Sequence, residues 1–152
     1  MFFRGDYMKY ITGQFALNLP CSLETCGDWH TSALNWDKMK LEESDISFFG
    51  NYGIETNRTL PMFEGIFNVA NHIRALLDML YNEQYALAQG MKKDYICVSQ
   101  YNHEIFKKVY EMRSLKQWNN IRSFMEKEYK LDWINFERMC DKQLCGKMNI
   151  NK

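Results

Sequence analysis

The feature that most constrains the fold of this chain is a regular spacing of apolar residues near its middle. Between Ile66 and Leu80 they recur at i, i+3, i+4, i+7, i+10, i+11 and i+14, as Ile66, Val69, Ala70, Ile73, Leu76, Leu77 and Leu80. This is the period of an α-helix that buries one face. Pro61 and Gly65 interrupt regular structure just before it. The spacing therefore predicts a helix over 66–80 with one continuous apolar stripe.

More helices are predicted towards the C terminus. Asn102 is a favourable N-cap residue, and a helix from Asn102 to about Met112 would bury three apolar side chains, Ile105, Phe106 and Val109. Ser114 is a second favourable cap, before a helix whose inward residues are Leu115, Trp118, Ile121, Met125 and Tyr129. A segment with Trp133, Ile134 and Phe136 extends this helix after a break or forms a fourth. We expect residues 141–152, which are polar and contain glycine, to be frayed.

The N-terminal part is typical of a small β element. Phe15, Leu17 and Leu19 alternate with Ala16 and Asn18, which is the period of a strand with one buried face. Residues 1–7 do not share the pattern that opens at Met8, so we expect them to be a flexible extension.

Length and composition indicate one packed domain. The chain has 152 residues, of which 46% are hydrophobic, and this is enough for a sizeable core. The predicted elements make an α+β fold, in which a C-terminal bundle of three or four helices packs on a small N-terminal β element. We expect a single domain over 1–152.

Charge and cysteine content restrict the class of protein. The 19 basic and 19 acidic residues balance, whereas proteins that bind nucleic-acid phosphates usually carry a basic excess, so a nucleic-acid partner is not favoured. No apolar run approaches the ~20 residues of a membrane span, so no membrane role is expected. The start lacks the apolar core of a signal peptide. A cytoplasmic location with reduced thiols is therefore predicted, and the five cysteines could not all pair within one chain.

The densest polar cluster runs from Cys21 to Thr31 and contains a candidate catalytic pair. Asp28 and His30 are two residues apart, so their side chains share one side of an extended segment. A carboxylate in this position can orient the imidazole and raise its basicity, as a general base requires. The alternative is structural, with Asp28 as a cap and His30 bonded to a backbone carbonyl.

The same segment contains weak candidate zinc ligands. Cys21, Cys26 and His30 offer two thiolates and an imidazole, but four residues between the cysteines is at the edge of the usual spacing. Free cysteines are also ordinary small buried residues. We therefore predict no metal and no other cofactor.

Polar residues on the predicted central helix form a candidate binding face. Asn68, His72 and Asp78 lie off the apolar stripe, where they border it or face solvent. With Arg74 and the neighbouring Asn71 they make up this face. They either line a groove or are simply solvated.

Aromatic residues favour a binding role. The chain has four Trp, nine Tyr and ten Phe residues, so some should reach the surface, where aromatic side chains are enriched in protein interfaces. Trp29 and Trp36, beside the polar cluster, are the candidates. The common phosphate loops, nucleophile elbow and zinc-protease motif are absent from the sequence, which disfavours the commonest enzyme classes.

Five segments together resemble a group of small uncharacterised bacterial proteins. They are Met8-Lys9-Tyr10-Ile11-Thr12-Gly13, Ala16-Leu17-Asn18-Leu19, Gly27-Asp28-Trp29-His30, Tyr52-Gly53-Ile54-Glu55 and Ala70-Asn71-His72-Ile73-Arg74-Ala75-Leu76-Leu77. The genes of that group lie in mobile or toxin–antitoxin-like neighbourhoods, some near nucleotidyltransferase-type toxins. The resemblance implies a protein that neutralises or assists a partner protein.

Three functional hypotheses follow. The first is a protein-binding regulator, such as an antitoxin-like or defence-associated component, and this makes a non-enzymatic role the leading interpretation. The second is an enzyme that acts on a nucleotide or nucleic acid through Asp28 and His30. The third is a small zinc-stabilised binding module. The sequence leaves the oligomeric state undetermined.

Overall fold

The computed structural model describes residues 8–28 and 30–150, with side chains up to Gln143. Helices and two small antiparallel two-stranded sheets make up the described chain, which confirms the α+β class. The chain divides into two compact units between Val98 and Ser99. We call them the N-terminal and the C-terminal unit. The expectation of a single domain stays a prediction, and the expected extension over 1–7 lies outside the described residues.

Both sheets belong to the N-terminal unit. Their strands are β1 (Lys9–Tyr10), β2 (Glu42–Glu43), β3 (Ile54–Leu60) and β4 (Phe63–Ala70). β1 pairs with β2, and β3 pairs with β4 as an antiparallel hairpin. Ile11 continues from β1 and bridges to β4, with its N–H donating to the Asn68 carbonyl at 2.9 Å and its carbonyl accepting from the Ala70 N–H at 2.8 Å. The segment of β1 and Ile11 is thereby attached to the hairpin.

The N-terminal unit is built around one helix. Its helices are α1 (Gly13–Leu17), α2 (His72–Tyr81) and α3 (Tyr85–Ala88), followed by a π-helical segment (Met91–Ile96). Every residue from 72 to 80 is buried, polar ones included. α2 is therefore covered on all sides, which a single apolar stripe does not predict.

The predicted helix over 66–80 is correct only from residue 72. Ile66 to Ala70 belong to β4, because Val69 and Ala70 pair with β3 and are fully buried there. Asn71 separates the two elements: its backbone is extended, and its side-chain oxygen accepts from the Arg74 N–H at 2.8 Å as an N-cap. Apolar spacing alone does not distinguish a short buried strand from the first turn of a helix.

The predicted strand over Phe15–Leu19 is wrong, since Phe15 to Leu17 form the end of α1 and a turn follows. Gly13 begins the helix with φ of +63°, a conformation that favours glycine. Ala16, Leu17, Asn18 and Leu19 are then all buried, so burial does not alternate. Packing of α1 against α2 overrides the local period-2 pattern.

The longer elements of the C-terminal unit are all α-helices. They are α4 (Asn102–Tyr110), α5 (Trp118–Tyr129) and α6 (Leu131–Ile150). The helix predicted from Asn102 is confirmed, although Asn102 is its first residue and not its cap. Ser114 does not cap α5, because it ends a 3₁₀ turn and Leu115 after it is extended. The fourth predicted helix is α6, which runs to Ile150. The fraying expected over residues 141–152 stays a prediction.

Aromatic rings fill the core of the C-terminal unit. The ring of Phe106 contacts those of Tyr129, Trp133 and Phe136 at centroid distances of 5.0, 5.6 and 5.5 Å. Trp118 lies 6.1 Å from Trp133. Most of these pairs meet edge to face, the arrangement that aromatic quadrupoles favour.

Within the described part of the chain, none of the helices combines the length and the apolar character that crossing a bilayer requires.

Candidate functional site

The polar residues at the start of α2 are interior groups. His72 is 1% exposed and Arg74 is 0% exposed, so the expectation that they border the apolar stripe or face solvent is wrong. Each has hydrogen-bond partners inside the N-terminal unit, which is the condition for burying such groups. They form two separate clusters, one around Arg74 and one around His72.

The Arg74 cluster is a buried ion pair with a full set of partners. Arg74 Nε donates to Asp78 Oδ1 at 2.9 Å, and Nη1 donates to the carbonyls of Gly50 and Tyr52 at 2.7 and 2.6 Å. Nη2 donates to the Tyr10 hydroxyl at 2.8 Å. The guanidinium thus ties the loop before β3 and strand β1 to the central helix.

Asp78 completes this cluster from the other side. Its Oδ2 accepts from the hydroxyls of Tyr10 and Thr12 at 2.8 and 2.7 Å. Burial and the negative charge of Asp78 raise the pKa of Tyr10 to about 12, so its hydroxyl stays protonated and can donate. Because all partners are internal, we assign this cluster a structural role.

The loop before β3 reaches Arg74 only because it contains glycine. Gly53 has φ of +70°, and a Cβ built there would lie 2.7 Å from the Arg74 Cβ. Its carbonyl accepts from the Asn71 N–H at 2.7 Å. Asn71 therefore acts as a helix cap and a loop anchor in this structure.

The His72 cluster joins α2 to the segment after α1. His72 Nε2 lies 2.6 Å from the Leu19 carbonyl, and Nδ1 lies 2.5 Å from Thr25 Oγ1. Thr25 Oγ1 is also 3.5 Å from Cys21 Sγ. A thiol, a hydroxyl and an imidazole thus form a continuous chain of polar contacts.

These contacts shift the pKa values of Cys21 and His72, the two ends of the cluster. Burial alone would raise the pKa of Cys21, but hydrogen bonds with His72 and Thr25 outweigh it and lower the pKa to about 7. Burial alone would lower the pKa of His72, but hydrogen bonds to Cys21 and to the Leu19 carbonyl raise it. Both shifts favour the charged forms, a Cys21 thiolate beside a His72 imidazolium.

Cys21 is partly accessible from an open cleft of about 530 Å³. The cleft is lined by Pro20, Cys21, Ser22, Glu55, Thr56 and Arg58. Glu55 Oε2 accepts from the N–H and the hydroxyl of Ser22 at 2.8 and 2.6 Å. Arg58 Nη1 lies 3.3 Å from Glu55 Oε1 but makes no hydrogen bond of normal geometry.

The predicted pair of Asp28 and His30 does come together, with the His30 Nδ1 in contact with the Asp28 Oδ1. The imidazole is 79% exposed and the carboxylate 9% exposed. The Asp28 N–H donates to the Leu17 carbonyl at 2.7 Å, which holds the segment against α1. Neither residue lines the cleft at Cys21.

The zinc hypothesis and the expectation of reduced thiols both conflict with a disulfide between Cys26 and Cys97. A sulfur in a disulfide is not available as a thiolate ligand. Among the described residues, no group of three or more His, Cys, Asp or Glu side chains could hold a metal ion. Cys21 and Cys140 are free thiols.

Trp36 is half-buried and part of the fold. Its ring contacts those of Phe15 and Phe63 at 5.2 and 6.4 Å, and its Nε1 donates to the Thr31 carbonyl at 3.1 Å. Trp29, the other predicted binding aromatic, lies outside the described residues.

The C-terminal unit has a larger groove between α4 and α6, with a volume of about 710 Å³. It is lined by Asn102, His103, Phe106, Lys107, Asp132, Asn135, Phe136, Met139, Cys140 and Gln143. Phe106 is buried, whereas Met139 is 62% exposed. We refer to it as the α4–α6 groove. Its volume is in the range typical of ligand-binding pockets.

Sequence reasoning missed both the Cys21–His72 contact and the α4–α6 groove. Thr25 and His72 are 47 residues apart, and no spacing rule joins a loop residue to a helix that far along the chain. The groove has a partial signal, because the apolar residues Phe136 and Met139 on α6 lie three positions apart.

Comparisons with known proteins provide no further constraint. No protein-family model matches the sequence, and no curated protein and no solved structure matches it at a significant level.

Proposed function

We propose that this protein is a protein-binding regulator that holds an amphipathic helix of its partner in the α4–α6 groove. The observation that carries the proposal is a groove of about 710 Å³ on the C-terminal unit that combines an aromatic floor with an exposed methionine. An apolar groove between two helices is a common receptor for the apolar face of a third.

The length of the groove fits a helical ligand. Its α6 wall runs from Asp132 to Gln143 through residues at i, i+3, i+4, i+7, i+8 and i+11, which lie on one helix face. Eleven residues of helix rise about 16 Å at 1.5 Å per residue. This is about three turns, the length over which an amphipathic helix presents its apolar anchors.

The side chains of the groove are of two kinds. Phe106 and Phe136 form a rigid floor, with ring centroids 5.5 Å apart. Met139 is 62% exposed, and its flexible thioether can adapt to the shape of a ligand. Met and aromatic residues are enriched in the buried centres of protein interfaces.

Charges beside the groove could set the orientation of the helix. Lys107 lies on the α4 side and Asp132 on the α6 side. A partner helix with an acidic and a basic flank would pair with both, and such pairing selects direction and partner more than it adds affinity.

The resemblance of the sequence to small bacterial proteins from toxin–antitoxin-like neighbourhoods supports a protein as the partner. We propose a single bacterial protein, such as a toxin encoded beside this gene, as the ligand. A cytoplasmic location belongs to the same proposal.

Co-expression with the products of the flanking genes tests it. The tagged chain should retain one of them, and Met139→Asp should weaken that complex at least about tenfold, since it places a charge against apolar surface. Ser123→Asp, an exposed position on α5 outside the groove, is the matched control and should bind like the unmodified protein. Equal affinity of both variants, or no complex at all, contradicts the proposal.

An enzyme is the second candidate, favoured by the contact between Asp28 and His30. A carboxylate on Nδ1 leaves Nε2 of an exposed imidazole free to take a proton. Hydrolysis of nucleotides and short oligonucleotides by the purified chain, lost in His30→Gln, would support it. No turnover by the unmodified protein would count against it.

A further inference from the structure

The polar chain from Cys21 through Thr25 to His72 has no part in the proposed protein-binding function. It lies in the N-terminal unit and meets the surface at the cleft that Cys21 lines. A free thiol with a buried imidazole partner and an open approach is the arrangement of a reactive cysteine. The geometry of each contact indicates what chemistry the thiol can do.

The orientation of His72 is determined by its backbone partner. The Leu19 carbonyl can only accept, so Nε2 carries a proton and donates a hydrogen bond to it at 2.6 Å. In the neutral ring, Nδ1 is then the unprotonated nitrogen, and it faces Thr25 at 2.5 Å. This resembles the triad arrangement of nucleophilic catalysis, in which a third group orients the base, except that here Thr25 lies between the base and the nucleophile.

Thr25 connects the base to the thiol. Its hydroxyl can donate and accept at once, and it lies between His72 Nδ1 and Cys21 Sγ, 3.5 Å from the sulfur. Thr25 is 8% exposed, so bulk water does not replace its role easily. A proton can therefore pass from the Cys21 thiol through the hydroxyl to the imidazole.

Close packing keeps this arrangement in place. Gly27 has φ of +69°, and a Cβ built there would lie 2.7 Å from His72 Cε1 and 2.6 Å from the Leu17 carbonyl oxygen. The segment that contains Thr25 therefore approaches α2 as closely as it does because residue 27 has no side chain.

The cleft itself carries one charge of each sign beside the thiol. Glu55 Oε2 accepts from Ser22, and Glu55 Oε1 forms an ion pair with Arg58 Nη1 at 3.3 Å that is not a well-formed hydrogen bond. A ligand with an ammonium and a carboxylate on the same carbon could pair with both. This is the polar end of an amino acid or of the γ-glutamyl group of a peptide.

We propose that Cys21 is a reactive thiol that forms a mixed disulfide with a small zwitterionic disulfide, such as oxidised glutathione, held at Glu55 and Arg58. The Cys21 thiolate attacks one sulfur of the ligand, its sulfur–sulfur bond breaks, and a new bond joins Cys21 to one half. The Cys21 sulfur is oxidised and the leaving sulfur is reduced. The leaving thiolate takes the proton that His72 holds and departs as a thiol.

The test measures the rate at which oxidised glutathione modifies each cysteine of the intact chain, by peptide-level mass spectrometry. Cys140 is the internal control, because burial and the charge of Asp141 raise its pKa. We expect Cys21 to react at least about tenfold faster at pH 7, since only the thiolate is the nucleophile. With iodoacetamide, the rate at Cys21 should reach half its maximum near its pKa of about 7.

Three variants distinguish activation of the Cys21 thiol from recognition of the ligand by the cleft. Thr25→Val keeps the shape of the side chain and removes its hydroxyl, and His72→Gln removes the base. Each should lower the rate at which both reagents modify Cys21 at least about fivefold. Thr25→Val keeps the test valid if His72→Gln does not fold. Arg58→Gln should slow oxidised glutathione about three- to tenfold and leave iodoacetamide unchanged, because only the disulfide carries a carboxylate.

Three kinds of result overturn the proposal. If Cys21 reacts no faster than Cys140, or if Thr25→Val reacts like the unmodified protein, the thiol is not activated by this cluster. If Arg58→Gln slows both reagents equally or neither, the cleft does not recognise a zwitterionic ligand.

Discussion

The two units of this protein stabilise their cores in different ways. Buried polar side chains concentrate in the N-terminal unit, where Arg74 and Asp78 pair at 2.9 Å and His72 is bonded through both nitrogens. Among the described residues of the C-terminal unit, Glu137 is the one buried charged side chain, and packed aromatic rings form the interior.

The two kinds of core place different requirements on the residues that form them. A buried charge needs partners at set distances, so the N-terminal unit depends on particular residues in β1, α2 and the loop before β3. An aromatic core depends mainly on volume and tolerates similar shapes. We therefore expect the N-terminal unit to be sensitive to changes of polarity and the C-terminal unit to changes of size.

The largest effect is expected for Arg74→Met, which keeps the apolar stem and removes the charge. Asp78 would remain buried without its cation, and the carbonyls of Gly50 and Tyr52 would lose their donor. The free energy of unfolding should fall by about 3–5 kcal/mol. Urea denaturation followed by circular dichroism measures it.

Arg138→Met is the matched control for this change, because Arg138 is exposed on α6. It should alter the free energy of unfolding by no more than about 0.5 kcal/mol. Equal effects of the two substitutions would show that the buried ion pair does not distinguish the N-terminal unit.

Loss of the disulfide should have the next largest effect. Cys26 and Cys97 are 71 residues apart and close a loop within the N-terminal unit. The double variant Cys26→Ser, Cys97→Ser should lose about 2–4 kcal/mol through the greater chain entropy of its unfolded state. Hydrogen exchange should rise in α2 and stay unchanged in α5. A uniform rise over both units would contradict their separate stabilisation.

The same change, Tyr to Phe, made separately in each unit tests the comparison further. Tyr10→Phe removes a hydroxyl that contacts Asp78 and Arg74, each at 2.8 Å, and should cost about 1.5–3 kcal/mol. Tyr129→Phe removes a buried hydroxyl that has no hydrogen-bond partner among the described residues, so it should be neutral or stabilising by up to about 1 kcal/mol. Urea denaturation of both variants provides the test, and two equal losses would refute the distinction.

The smallest effect is expected at the ion pair between α5 and α6. Arg122 Nε and Nη2 donate to the two carboxylate oxygens of Glu137 at 2.8 Å, but the Arg122 side chain is 42% exposed. Arg122→Gln should cost about 0.5–1 kcal/mol at low salt. The difference should shrink in 1 M salt, where charges are screened within about 3 Å. A loss comparable to that of Arg74→Met would mean that the C-terminal unit also depends on a charge pair.

The parts of the fold that follow from local signals were predictable. The α+β class and the helices from Asn102 and around Trp133 agree with the structure, because each is a local run of helical periodicity. Asp28 and His30 also meet, since residues two apart in an extended segment share a side. The segment predicted as a strand at Phe15 is helical because packing against α2 outweighs its local preference. The first residues of the helix predicted from Ile66 form a strand because they pair with β3.

The sequence by itself determined the class of fold and most C-terminal helices, because helical periodicity and apolar content act over a few turns of chain. Only the tertiary structure decided which polar residues are interior. It buried His72 and Arg74, paired Cys26 with Cys97 and brought Thr25 between Cys21 and His72. The physical reason is that a buried polar group is stable only beside its hydrogen-bond partners, and these partners lie up to 68 residues away along the chain.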